Sequence, residues 1–211
     1  MDAEHSVWRA RLDEFREKLA AGDSITGGVA VSAISAALAA SVLRMVLVAT
    51  ARKQNSGQIQ LLIEGARDVA EVLARLADED RAAYAAYDAA RKLPKGTAAE
   101  RAERDQSLAA ALERATKTPL EAAHAAMRAI ELCWEAACIA AGDIAADVGG
   151  AAALLAGAIR AILVSVDANL RHLKGQPAYL VLAAQRDELE QKASQQVDQV
   201  LKRIASRFPN E

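Results

Sequence analysis

The order of apolar and polar positions divides the chain into helices and leaves little over. The longest apolar stretch, 27–51, runs from Gly27-Gly28-Val29-Ala30 through Ala, Val, Ile, Ser and Leu to Thr50 and is apolar on every side. All-round apolarity at that length suits a helix at the centre of a bundle, enclosed by other helices. Its neighbours show one-sided patterns. In 5–21, Trp8, Leu12, Phe15 and Leu19 recur every three or four residues among charged positions, an amphipathic helix that Gly22 ends. In 58–92, Leu62, Ala66, Val69, Leu73 and Leu76 form another stripe, which Pro94 and Gly96 interrupt.

Thr97-Ala-Ala-Glu100 is a capping box and starts a charged helix; Thr118-Pro119-Leu120-Glu121 is a second one with proline at the first helical position, so a fresh helix is predicted over 119–141. A further apolar helix follows from about Asp143 to His172, and Gly175 and Pro177 stop it. A last amphipathic, highly charged helix spans about 178–207, and the residues beyond it are expected to fray. Strict alternation is absent and β-branched residues are sparse, so no strand is predicted. The expectation is an all-α bundle of six or seven helices around a central Ala-rich helix, one domain over 1–211. No repeat of 20–50 residues is visible, which argues against a helical solenoid.

Composition narrows the partners. A formal net charge of −2 provides no electrostatic footprint for nucleic acid, so none is expected. The 27–51 stretch is long enough to span a bilayer, but Arg44 in its middle, Ser32, Ser35 and Ser41 and the predominance of alanine favour a soluble core helix and no membrane. Acidic residues near the first methionine do not suit a secretory signal, and a cytoplasmic location is expected. Cys133 and Cys138 are five apart on one helix, on different faces, and suit neither a disulfide nor a zinc site; both are read as buried free thiols. So many small-residue helix faces exceed what one subunit can cover, which points to a homodimer.

Three places carry candidate chemistry. Gly27 and Gly28, after Asp23, Ser24 and Thr26, either let an anionic group approach a helix N-terminus or form an ordinary helix entry capped by one of those three side chains. Lys53 stands at the other end of that helix, roughly 35–40 Å away, so the two share a site only if the helix breaks or a second subunit intervenes. Asp80 and Tyr84 are four apart on one helix face, where Asp80 is either functional or a solvated, ion-paired carboxylate. Asp143 and Asp147, also four apart, stand among Ala, Ile, Val and Gly. A carboxylate in apolar surroundings finds a partner or has its pKa raised, which makes these two acid–base candidates, although Asp143 also suits a helix cap. His124 has no partner at metal-ligand spacing.

In their order along the chain these residues resemble the cyclodeaminase/cyclohydrolase family of folate enzymes, over nearly the whole length. Members carry an Asp-Ser-Pro-Thr-Pro-Gly-Gly-Gly-Ser-like turn before an alanine-rich helix, and Asp23-Ser-Ile-Thr-Gly-Gly-Val-Ala stands in its place. Asp80 and Tyr84 match an Asp-x-x-x-Tyr/Phe pair, Leu93-Pro94-Lys95 a Leu-Pro-Lys segment, Arg104 an arginine nine residues later, and Thr118-Pro119-Leu120 a Val-Pro-Leu helix start. A late Asn-x-Asn-x-x-Ser-Asp segment is matched in its final acid, Asp147, with Asp143 where the second asparagine would be; Arg160 and Asn169 match residues of the next helix. Ile25, Thr26 and Val29 depart from the pattern, and the asparagine pair and serine are missing.

The resemblance implies hydrolysis of 5,10-methenyltetrahydrofolate to the 10-formyl form, with the folate as substrate and neither a cofactor nor a metal. It implies catalytic roles for Asp147, Asp80 and Tyr84, and substrate contacts at Asp23, Ser24, Gly27, Gly28, Asp143 and Asn169, with Lys95 and Arg104 on the glutamate tail. Two alternatives stand beside it: a formiminotetrahydrofolate cyclodeaminase that releases ammonia on the same scaffold, and a non-catalytic helical dimer that has lost the folate site.

Overall fold

The described residues form six α-helices: α1 (Leu12–Ala21), α2 (Gly28–Ala51), α3 (Gly57–Arg91), α4 (Ala98–Ile139), α5 (Ala145–Leu173) and α6 (Tyr179–Ala205). The structure is a computed structural model and describes residues 6–22 and 27–208. No strand occurs among the described residues, and the all-α expectation holds. α2 packs against α3, α4 and α5, while α6 closes the bundle over α4 and α5. The core is rich in alanine: Ala30, Ala33, Ala36, Ala39 and Ala40 of α2 are fully buried, so neighbouring backbones approach closely.

The sequence pattern predicts α2 as an enclosed helix, and one face corrects it. Leu38 is 54% exposed and Met45 50%, because α3, α4 and α5 cover three sides and nothing among the described residues covers the fourth. α5 is alike, with Leu154 at 56% and Val164 at 70%. These are the two helices long and apolar enough to cross a membrane, and each buries about half of its apolar window inside the bundle.

The predicted helix over 5–21 is shorter. A 3-10 turn at Val7–Arg9 precedes extended backbone at Ala10 and Arg11, and α1 begins only at Leu12, itself 81% exposed. Tertiary bonds impose the break: Ser6 Oγ donates to Asp78 at 2.6 Å, the Val7 N–H to Asp78 at 2.9 Å, and the Trp8 indole N–H to the Ala74 carbonyl at 2.9 Å. This segment is tied to α3 rather than continued as helix. Beyond α6, Arg207 donates to the carbonyls of Ala137 and Ala140, closing the C-terminus of α4; of the residues expected to fray after 207, those from 209 on lie outside the described residues. Cys138 corrects another expectation: Cys133 is buried, and burial pushes its thiol up to about 12, but Cys138 is exposed.

The second capping box does not start a helix. α4 runs unbroken through Pro119, whose ring nitrogen has no hydrogen to donate to the carbonyl four residues back, that of Ala115. Asn169 of α5 supplies the missing donor, its side-chain N–H reaching the Ala115 carbonyl at 2.9 Å. This assigns the bond a coupled, testable energy. Asn169→Ala is expected to lower stability by about 1–2 kcal/mol with Pro119 present. It should cost much less in a Pro119→Ala background, where the new N–H reclaims the carbonyl. Urea unfolding of the four proteins of this double-mutant cycle reads the coupling; an equal loss in both backgrounds contradicts the assignment.

Candidate active site

Where the N-terminus of α2 meets the middle of α3, a cleft of about 380 Å³ opens, and Gly27, Gly28, Asp80, Tyr84, Tyr87 and Asn169 are among its lining residues. Its position follows from three local facts. Gly27 is the N-cap of α2 in extended conformation and has no side chain to cap the helix, so the first N–H groups need an acceptor from elsewhere. The Asp80 carboxyl lies near them, where the backbone N–H of Ala30, the third residue of α2, acts weakly on it. The carboxyl beside this helix end therefore comes from α3, tens of residues along the chain.

Asp80 is only 9% exposed. Burial among apolar neighbours disfavours its charge and pushes the carboxyl up to about 6, with the Ala30 N–H pulling weakly the other way. No salt bridge to Asp80 occurs among the described residues, so it is not the ion-paired surface carboxylate of the alternative reading. A carboxyl that titrates near neutrality at the wall of a cleft can both accept and deliver a proton. Tyr84 and Tyr87 lie one turn and two turns further along α3. Tyr84 is half exposed and Tyr87 packs against the core, and together they form an aromatic side for a flat ring.

The opposite wall is α4 and α5. Leu112, Ala115 and Pro119 make it apolar, and Ser165 and Asn169, four apart on α5, make its polar edge. Gly27 and Gly28 have open space where a Cβ would stand, so the fold itself leaves room there. The sequence pattern alone passes over Tyr87 and Ser165 as site residues. Both are recoverable from spacing: Tyr87 falls seven residues after Asp80, and Ser165 four before Asn169.

Other expected residues lie elsewhere. Asp23 and Ser24, with Thr26, fall outside the described residues. Lys95 is exposed in the connection between α3 and α4, and Arg104, half-buried on α4, donates to the Arg91 carbonyl at 3.4 Å. Neither lines the cleft; they sit toward the α3–α4 turn, roughly 15–20 Å beyond Asp80 by helical rise. Asp143 and Asp147 are both exposed, which corrects their reading as carboxylates in an apolar setting. Their apolar sequence neighbours Ala145 and Val148 point inward, while the two acids turn to the outside. Asp147 precedes Asn169 by 22 residues, roughly 33 Å along the helix, so it cannot reach the cleft of its own subunit.

Two larger concavities, about 620 Å³ beside Trp8, Arg44 and Arg67 and about 700 Å³ beside Trp134 and Arg203, are open grooves that contain no buried carboxylate. Chemistry therefore points to the smaller, deeper cleft.

Comparison with known proteins agrees with the helical architecture. Residues 11–188 match the family described as formiminotransferase-cyclodeaminase. Among solved structures, the formiminotetrahydrofolate cyclodeaminase of Thermotoga maritima superposes with a TM-score of 0.84 at 21% identity, covering 97% of this chain and 100% of that one. No curated protein matches.

Proposed function

The chain belongs to the formiminotransferase-cyclodeaminase family, and from that premise we propose that it acts on the one-carbon bridge of a tetrahydrofolate, hydrolysing the 5,10-methenyl form to the 10-formyl form. The observation that carries this reading is Asp80, a buried carboxyl titrating near pH 6 in a cleft with two tyrosines. The methenyl bridge is a cationic amidinium, so its carbon is already electrophilic and the enzyme's work is proton management. A carboxylate beside it stabilises the cation and takes a proton from the attacking water. The hydroxyl oxygen adds to the carbon; the C–N5 bond then breaks as N5 takes up a proton and the oxygen gives one up, leaving the formyl group on N10 and releasing one proton overall.

The tyrosine wall accepts the flat pterin, and Ser165 and Asn169 offer hydrogen bonds to its edge. Lys95 and Arg104 lie toward the α3–α4 turn, past Tyr84 and Tyr87 on the way along α3 from Asp80, and an acidic tail that extends that way would meet them. The cyclodeaminase reading is the second one, favoured by the activity named for the superposed structure. There N10 attacks the formimino carbon and an acid near neutrality protonates the departing ammonia, a task that Asp80 also suits.

One pair of assays separates the two. Purified protein is expected to accelerate the loss of methenyltetrahydrofolate absorbance well above the spontaneous rate, without ammonia release. Ammonia release from 5-formiminotetrahydrofolate with no hydrolysis of the methenyl form would transfer the assignment to the deaminase; acceleration of neither reaction contradicts both.

A further inference from the structure

α4 and α6 both pack on α5, and their C-terminal ends meet where Arg207 donates to the Ala137 carbonyl at 2.9 Å. A groove of about 700 Å³ lies between these two ends. Trp134 and Cys138, four apart on α4, line one side of it. Gln199, Lys202 and Arg203 of α6 line the other, at the spacing of one helix face. Trp134 stands 15 residues past Pro119, roughly 22 Å along α4, so the groove is separate from the Asp80 cleft.

Three cations line the groove, and the fold uses one of them. Arg207 donates to the carbonyls of Ala137 and Ala140 at the end of α4. Each helix C-terminus has roughly half a negative charge, so the two that meet here together offset about one cation. Lys202 and Arg203 are left over. Both are exposed, and among the described residues neither forms a salt bridge nor donates a side-chain hydrogen bond to the protein; Asp198, four residues before Lys202, is not paired with it. Arg203 is nevertheless held in place, its guanidinium 4.8 Å from the centroid of the Trp134 ring. A cation–π contact consumes none of the five N–H donors of the guanidinium, and Lys202 adds three more.

An occupant that answers two neighbouring cations beside an aromatic ring has two negative charges at one end and a flat body at the other. A phosphate monoester has a charge of about −1.5 to −2 near pH 7 and three acceptor oxygens on one centre, which suits two donors on the same helix turn. A dicarboxylate spreads its two charges and has no ring to place on Trp134. We propose that the groove between the ends of α4 and α6 binds a nucleoside monophosphate, its phosphate on Lys202 and Arg203 and its base against Trp134. A nucleic acid strand is the poorer occupant, because only two cations are left over here and the chain has a net charge of −2. The site stands independently of the folate reading.

The groove contains its own reporters. Trp8 and Trp134 are the two tryptophans, so Trp8→Phe leaves Trp134 as the one emitter, and of the two cysteines only Cys138 is exposed. Titration of Trp8→Phe with adenosine 5′-monophosphate is expected to change Trp134 emission saturably. In the wild-type chain, which needs no substitution, the same ligand should slow alkylation of Cys138 by iodoacetamide. Lys202→Gln and Arg203→Gln should each weaken binding about tenfold, the loss expected for one charge-assisted hydrogen-bonding group. Both side chains are exposed and Arg207 is left in place, so the unfolding midpoint without ligand should not move. Ribose 5-phosphate, which lacks the base, should bind at least about fivefold more weakly, and succinate should not compete. Absence of both the emission change and the protection of Cys138 overturns the site. So does binding that survives the Lys202→Gln/Arg203→Gln double variant. Ribose 5-phosphate or succinate binding as tightly as the nucleotide, or a single-stranded oligonucleotide binding more tightly, overturns the assignment of the ligand.

Discussion

Asp80→Asn is expected to lower folate turnover by about 10²–10⁴-fold while making the protein more stable at pH 8. The two effects have one cause. In the folded chain burial holds the Asp80 carboxyl at about 6, above its ordinary value of 3.8. Between those values the native state keeps a proton that the unfolded chain has released. Stability therefore falls as pH rises from about 4 to 6 and stays lowered above that window, by up to about 3 kcal/mol for a shift of this size. Asparagine carries no charge at any pH, so the variant lacks this fall. It also keeps the size of the side chain and an oxygen toward the Ala30 N–H. The checks are urea unfolding at pH 4 and pH 8, and the pH dependence of kcat/KM, whose acid limb near pH 6 should vanish. A variant that loses activity and stability together would show the role of Asp80 to be structural only.

Asp147→Asn is expected to lower turnover by about 10²–10³-fold with unfolding midpoints unchanged at every pH. Its side chain is exposed and has no hydrogen bond within its own subunit among the described residues, so the fold has nothing to lose. Its effect on chemistry has to come through a second subunit. The discriminating measurement is kcat against protein concentration. Wild-type specific activity should fall on dilution, and the variant should be low throughout. Full activity of Asp147→Asn would mean that the cleft works with the residues of one chain.

Much of the site is legible in the sequence, for a reason that also explains the errors. Asp80 and Tyr84 stand out because four-residue spacing on a helix is a contact that sequence distance encodes. Gly27 and Gly28 stand out because a glycine pair before an apolar run marks a helix entry. Asn169 is visible only through the family pattern, and its bond to the Ala115 carbonyl is not visible at all, because it answers a donor lost at Pro119 on another helix. The same proline reads as a helix start, since a capping box followed by proline has that meaning in isolation. Asp147 is misjudged from its neighbours in sequence: Ala145 and Val148 are buried, but helical geometry turns Asp147 to the outside.

What the sequence determined by itself was the helical class, the helix cores and the family. Those depend on period, capping chemistry and motif order, which are properties of short stretches. What only the tertiary structure decided was which helix faces another and which faces solvent. That choice buried Asp80 beside the start of α2, let α4 pass through Pro119, tied Val7 to Asp78, and left faces of α2 and α5 uncovered by any described residue. A side chain's burial and partners are set by elements tens of residues away, so the titration of Asp80 and the outward position of Asp147 follow only once the helices are packed.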